Sequence, residues 1–323
     1  MAKFSKPRTK SPPARPELVE LLAGVKANPI DKQRRLILAD WLEEHNEAAR
    51  AELIRLQHDH WQLLSSAMDR TAAVVQREQH IKEILAAHMA EWLAPFREAA
   101  EQCGARLMQR VPAGVQRYLR ASCEFGLVRL AIDPESLFSP AVVALSKTEA
   151  WAWVSELLPR LVIGDAGGLI KSSPVWAGIP HVDFEDCKLG ESGAQALARV
   201  KEKDFTALRH LDVGHNALGP AGAAALAKAQ WLRHIETIDL AHNRLCDDGA
   251  VHLATSPNLN NLRELDLRDN RIGDVGASAL AGSPHFKPDM ELVIYNNRIS
   301  PAGAKRLHDR FGERVTVLSD AQS

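Results

Sequence analysis

Four aspartates, Asp183, Asp212, Asp239 and Asp266, each sit in the middle of a short apolar–acid–apolar string: VDF, LDV, IDL and LDL. A fifth string, LVI, has Val293 in that place. Alternation puts the middle residue on the face opposite its neighbours. Just before each string stand His181, His210, Thr237, Glu264 and Glu291. Beyond them run two more columns. One reads Glu185, Gly214, Ala241, Arg268 and Tyr295, and the next reads Asp186, His215, His242, Asp269 and Asn296. If the strings lie side by side as parallel strands, like positions stack about 4.8 Å apart. Carboxylates at that spacing repel one another unless a cation lies over them. Three chemistries fit. The strip attracts a basic protein segment, with Arg268 and Tyr295 as anchors of the type that interfaces favour. His215, His242 and Asp239 are donors that suit a metal ion. Or the aspartates serve solubility and local turn hydrogen bonds. We carry forward the first, with a site of Asp183, Asp212, His215, Asp239, His242, Glu264, Asp266, Arg268, Asp269 and Tyr295, and expect no metal and no cofactor. Histidines beside acids also imply affinity that varies between about pH 5 and 7.

What positions these columns is a repeat. Asn216, Asn243, Asn270 and Asn297 stand 27 residues apart, and so do Gly222, Gly249, Gly276 and Gly303. A fixed period of this size marks a solenoid. Leu208, Leu211 and Val213, and later Leu262, Leu265 and Leu267, point inward from a strand. The asparagine turns inward after it, where its side chain satisfies backbone groups. A helix follows. Ser300-Pro301 reads as N-cap and first helical residue. Asp247, Asp248 and Asp274 suit the positive helix end. Ala223, Ala250 and Ala277 let the helix layer sit close to the strands. An earlier unit has Val182, Phe184, Leu189 and Gly193 in register, with Cys187 in the asparagine slot. Degenerate strands are expected at 127–132 and 160–163, and a closing strand at RVTVL, residues 314–318.

The pattern LxxLxLxxN followed by xLGxxGAxALA resembles a leucine-rich repeat of the ribonuclease-inhibitor class. The resemblance implies an α/β solenoid, with parallel strands concave and helices convex. Such inhibitors similarly set acidic concave and edge residues against a basic partner. That class accepts cysteine in the asparagine slot. It also makes Arg244, Arg271 and Arg298, after the asparagines, candidates for a regulator of a partner GTPase, although their periodicity suits an exposed repeat letter.

The N-terminal half is helical in pattern. Residues 1–16 carry Lys3, Lys6, Arg8, Lys10 and Arg15, four prolines and no acid, and read as a disordered basic tail. Apolar stripes then predict helices over 17–28, 31–46, 48–67 and 72–96, the second capped by Asp31 and the last closed by Pro95. DKQRRLILADWLEEHNEAARAELIRLQ resembles the bacterial repeat-companion domain, whose pattern is close to RLxxADWLEExGxxxRAEFIRLQ. Arg35, Leu36, Ala39 to Glu44 and Arg50 to Gln57 match. His45-Asn46-Glu47 stands where that family has a glycine-containing turn. The resemblance implies architecture and a bacterial origin rather than an activity. Expected boundaries are a tail at 1–16, a helical companion domain at 17–96 capping the array, a connecting region at 97–178, and repeats with a C-terminal cap at 179–323.

The net charge of −1 excludes bulk polyanion binding, so nucleic acid is not the expected partner. No apolar run is long enough for a membrane helix. Cys103, Cys123, Cys187 and Cys246 show no paired spacing, which fits a reducing cytoplasm. His58-Asp59-His60 lacks the rest of a phosphohydrolase signature and is expected on a solvated helix surface. The glycines at 164–168 lack phosphate-loop spacing. Trp41, Trp61, Trp92, Trp151 and Trp153 are expected in core or junction packing. The expectation is a non-enzymatic, cytoplasmic protein-interaction module. The rivals are an enzyme regulator, or a structural protein that assembles through its helices.

Overall fold

The computed structural model describes residues 15–28, 31–66, 72–107, 118–124, 126–159 and 172–317. The basic tail before residue 15, the strand expected at 160–163, the glycines at 164–168 and the side chain of Trp61 lie outside them.

Five helices come first: α1 (Pro16–Ala27), α2 (Lys32–Glu44), α3 (Ala48–Ser66), α4 (Ala72–Trp92) and α5 (Ala94–Gln102). Leu18, Leu22 and Val25 form the buried stripe of α1, and Leu38, Ala39 and Leu42 that of α2. Asp31 caps α2, its Oδ1 accepting from Gln33 and Arg34 N–H. Asn46 takes φ 64°, the left-handed conformation that a turn glycine would supply and that asparagine tolerates. Pro95 does not simply end α4. The chain breaks at Leu93, and Pro95 sits in the first turn of α5, where its missing N–H costs nothing. That helix runs across residue 96, the boundary expected from the pattern.

The sheet follows. β1 (Arg106–Leu107) pairs parallel with β2 (Tyr118–Glu124), which makes an antiparallel pair with β3 (Leu127–Ile132). Three short helices, α6 (Pro134–Leu137), α7 (Pro140–Leu145) and α8 (Glu149–Ala152), lead to β4 (Val154–Pro159). Then strand and helix alternate: β5 (His181–Asp183), α9 (Gly190–Ala198), β6 (His210–Asp212), α10 (Gly219–Ala227), β7 (Thr237–Asp239), α11 (Cys246–Ala254), β8 (Glu264–Asp266), α12 (Asp274–Ala281), β9 (Glu291–Val293), α13 (Pro301–Phe311) and β10 (Val315–Thr316). From β3 to β10 each strand lies parallel to the next in chain order, which is the topology of an α/β solenoid. β4 escapes the sequence pattern because VSELLP lacks the LxL signature, although it carries the register.

The letters of the repeat have identifiable causes. A Cβ on Gly249 would lie 2.8 Å from Leu245 Cβ and 3.4 Å from Ala223 Cβ of the preceding repeat. The helices therefore touch backbone to alanine, and both small residues must recur together. Asp247 and Asp274 stand in the first turns of α11 and α12, as expected, and also act across repeats. Asp247 Oδ1 accepts from Gly273 and Gly276 N–H at the start of α12. Asp274 accepts from the N–H and hydroxyl of Ser300, which hold it below the usual carboxylate range. Ser300 in turn caps α13 through Gly303 N–H.

One continuous buried cluster runs from Leu18 in α1 to Val317 after β10. Its aromatic spine, Trp176–Phe205–Trp231, has ring centroids 5.3 and 5.0 Å apart. Trp151 and Trp153 are buried as expected. Cationic side chains tie the first helices to α8 and to the turn before β4. The Arg15 guanidinium bridges Glu47 and Glu149, and that of Arg50 lies 4.8 Å from the Trp92 ring and 3.8 Å from that of Trp153. His58 corrects an expectation: it is 3 % exposed rather than on a solvated surface. Burial, with Arg35 and Lys32 nearby, pushes its imidazole below the ordinary value.

Candidate functional site

The strand register builds the columns directly. His181, His210, Thr237, Glu264 and Glu291 are successive partners, and so are Asp183, Asp212, Asp239, Asp266 and Val293. The first column extends backward through Glu156 to Arg129, which the sequence pattern did not reveal.

Beneath this face runs the asparagine ladder. Asn243 is fully buried. Its amide donates to the carbonyls of Val213, Leu240 and Ala241, and its oxygen accepts from Asn216 and Leu218 N–H. Asn270 repeats the set one strand later. Cys187, in the same slot, places its Sγ 3.2 Å from Pro159 O.

The aspartates are used differently. Each commits Oδ1 to the N–H two residues on: Asp183 to Glu185, Asp212 to Gly214 and Asp239 to Ala241, all at 2.8 Å, and Asp266 to Arg268 at 3.0 Å. The turn-acid explanation of this letter therefore accounts for one oxygen of each carboxylate. Asp239 and Asp266 turn the other toward Arg268, whose NH2 lies 3.4 Å from Asp239 Oδ2 and whose Nε lies 2.8 Å from Asp266 Oδ2. Arg268 NH1 also donates to the Tyr295 hydroxyl at 3.1 Å. The residues expected to anchor a partner thus hold each other and the strip. Among the described residues no cation pairs with Asp212.

The electrostatics follow from this asymmetry. Burial, then the charges of Asp239 and Asp183, push Asp212 up to about 7, against the pull of its Gly214 hydrogen bond. Burial also raises Asp266, to about 6, with Arg268 opposing. Glu264 is raised by burial and by Glu291. The Tyr295 hydroxyl, with Asp266 and Asp239, holds Arg268 above its ordinary value. His181 and His210 are pushed down by burial.

The outer column has a backbone cause. Asp186, His215, His242, Asp269 and Asn296 all have φ between 50° and 57°. Aspartate, asparagine and histidine tolerate that left-handed conformation better than most residues. His215 and His242 stack with ring centroids 4.0 Å apart, and His242 Nε2 lies 3.1 Å from Asp269 Oδ2. The donor set His215, His242 and Asp239 does not converge. Among the described residues, the group whose ligand atoms lie within 4.8 Å of one another is Asp183, Glu185 and Asp212. Arg244, Arg271 and Arg298 are exposed, the first two also with left-handed backbone.

A concave cleft of about 480 Å³ gathers part of the expected site: Asp212, Asp239, Glu264, Asp266 and Arg268 line it, with His181 and His210. Asp183, His215, His242, Asp269 and Tyr295 do not. At its opposite end stand Lys26 and Arg35, both buried, from α1 and α2. Burial pushes Lys26 down to about 8. The signal for these two was present in the sequence. Lys26 falls on the stripe of Leu18 and Leu22, and Arg35 on that of Leu38, Ala39 and Leu42, where a cation is out of place unless it serves the interior or a site.

All four cysteines are free. No described helix is long and apolar enough to cross a membrane. A search of curated proteins finds no match to this chain. A family model described as a leucine-rich repeat matches residues 206–227, 232–254 and 258–281. These are the segments holding Asp212, Asp239 and Asp266. The stretch 206–281 is thus built of leucine-rich repeats, which generally mediate protein–protein interaction and are typically non-enzymatic.

Proposed function

We propose that the concave strip is a docking surface for a basic segment of a protein partner, without catalysis. The observation that carries this is Asp212. It lines the cleft with one oxygen committed to the Gly214 N–H, its neighbours on both sides are acids, and no described cation neutralises it. Two strands along, Arg268 shows what the strip accepts: its guanidinium lies against Asp239 and Asp266. A partner's arginine or lysine would do the same for Asp212. Steering by the acids brings such a segment in, and His215, His242, Asp269 and Tyr295 form the outer rim. The five N-terminal helices act as a companion domain that covers the first strands and brings Lys26 and Arg35 to the cleft. The repeat-companion resemblance, a bacterial source and a cytoplasmic setting belong to this proposal.

The test uses the conservative substitution that the geometry singles out. Asparagine at 212, 239 and 266 keeps the Oδ1 acceptor for the turn and removes only the charge. Affinity capture from the source lysate is run with wild type and with Asp212→Asn/Asp239→Asn/Asp266→Asn. A basic partner retained by the first and lost by the second supports the proposal. A partner recovered equally by both moves the site elsewhere.

A further inference from the structure

A second cleft, of about 510 Å³, adjoins the concave one between α1, α8 and the turns before β5 and β6. Its walls are mainly apolar, with Val19, Trp151 and Pro180 among them. Every charged side chain that lines it is a cation: Lys26, Lys147 and Arg209. Lys26 and Pro180 line both clefts, so the two meet there. The Lys26 ammonium donates to the carbonyls of Val154 and Gly178, which uses two of its three N–H bonds. Lys147 is exposed and makes no ion pair with a described residue. Arg209 stands 3.8 Å from Glu236. Charge therefore reverses across Lys26, from the acids of the concave strip to the cations of the apolar cleft.

That layout specifies an occupant. A basic segment alone would meet like charge at Lys26, Lys147 and Arg209. An internal acidic residue would bring a carboxylate but no apolar group on the same Cα. A chain end brings both. We propose that the two clefts form one site for the C-terminus of a partner polypeptide. Its free carboxylate meets Lys26, its last, apolar side chain fills the second cleft, and the basic residues just before it lie along Asp212 and Asp239. This rests on the reading of the strip given above. From β5 to β8 is three strand spacings, about 14 Å, which four or five extended residues span. The recognised segment is thus about six residues long.

Fluorescence anisotropy with the full-length chain tests this. The probes are fluorescein-labelled GRRRGL with a free carboxylate and the same peptide as its C-terminal amide. The amide is expected to bind about tenfold more weakly, as loss of a charge-assisted contact implies. Lys147→Glu, on the surface, is expected to weaken the acid several-fold and the amide little. Asp212→Asn is expected to weaken both peptides alike. Equal binding of acid and amide, unmoved by Lys147→Glu, overturns the C-terminus proposal, and leaves the strip standing if Asp212→Asn still weakens both. A preference for the acid that Asp212→Asn does not touch supports the terminus site and overturns the strip. Absence of binding by either peptide at millimolar concentration overturns both.

Discussion

Two columns run through the same repeats with the same period, and they do opposite work. The asparagine ladder is buried and saturated: every donor and acceptor of Asn243 is used within the protein. The aspartate column is only partly saturated: each spends one oxygen in a turn, Asp239 and Asp266 turn the other to Arg268, and Asp212 lines the cleft with no described cation beside it. Periodicity alone does not separate scaffold from surface, because both columns are equally regular. Hydrogen-bond saturation does. Where it is complete the letter is explained by folding, and where an oxygen is left over a ligand is invited.

The largest effect should come from breaking the saturated column. Asn243→Ala leaves several buried backbone groups without partners, at about 3–5 kcal/mol. Thermal melts should show a midpoint lower by about 5–10 °C. A drop below 2 °C would remove the ladder from the list of structural necessities. In the open column, Asp212→Arg, which also removes the Gly214 turn acceptor, should lower the melt far less than Asn243→Ala but reduce affinity for a basic peptide more than tenfold, read by anisotropy. If the melt collapsed while affinity survived, the contrast between the columns would be reversed.

The contrast was only partly legible in the sequence. The 27-residue step, the inward leucines and the asparagines predict the solenoid from β5 onward. Asp31, Ser300 and Pro301 take the cap positions expected of them. Asp247 and Asp274 lie in the first helical turns as expected, but their bonds to the next repeat were not legible, because a contact that reaches into the next repeat has no signature within its own helix. The aspartates were legible as a column, but which oxygen each one spends is a matter of turn geometry. His215, His242 and Asp269 looked chemical because they share a column, whereas a left-handed backbone already selects those residue types. Lys26 and Arg35 were overlooked as site residues because they sit far from the repeats in sequence and only packing brings them to the cleft.

A third variant sharpens the open column. Arg268→Gln frees the second oxygens of Asp239 and Asp266, so affinity for a basic peptide should rise about threefold. A loss of affinity would restore Arg268 as a partner contact. pH should act in the same direction. Asp212, raised to about 7, and Asp266, to about 6, are largely protonated at pH 5.5 and charged by pH 7.5. Affinity should therefore climb several-fold across that interval, through these carboxylates rather than through histidine. Affinity flat over the range would contradict this.

The smallest effect concerns stability. A carboxyl whose folded value is raised favours the protonated state in the fold. Its contribution is present at low pH and is lost as pH rises through about 7. Asp212→Asn removes that loss while keeping the turn acceptor. Differential scanning fluorimetry should show the variant about 1–2 °C more stable than wild type at pH 8, and equal to it near pH 4. Destabilisation at pH 8 would mean that the charge is satisfied within the protein after all.

The most direct measurement is the titration of Asp212 itself, followed by carboxyl carbon NMR on the full chain with and without a basic peptide. We expect a value near 7 in the free protein, falling toward the ordinary aspartate range when the peptide is bound. An ordinary value in the free protein, or one that the bound peptide leaves unmoved, would contradict the claim that this carboxylate awaits a partner's cation.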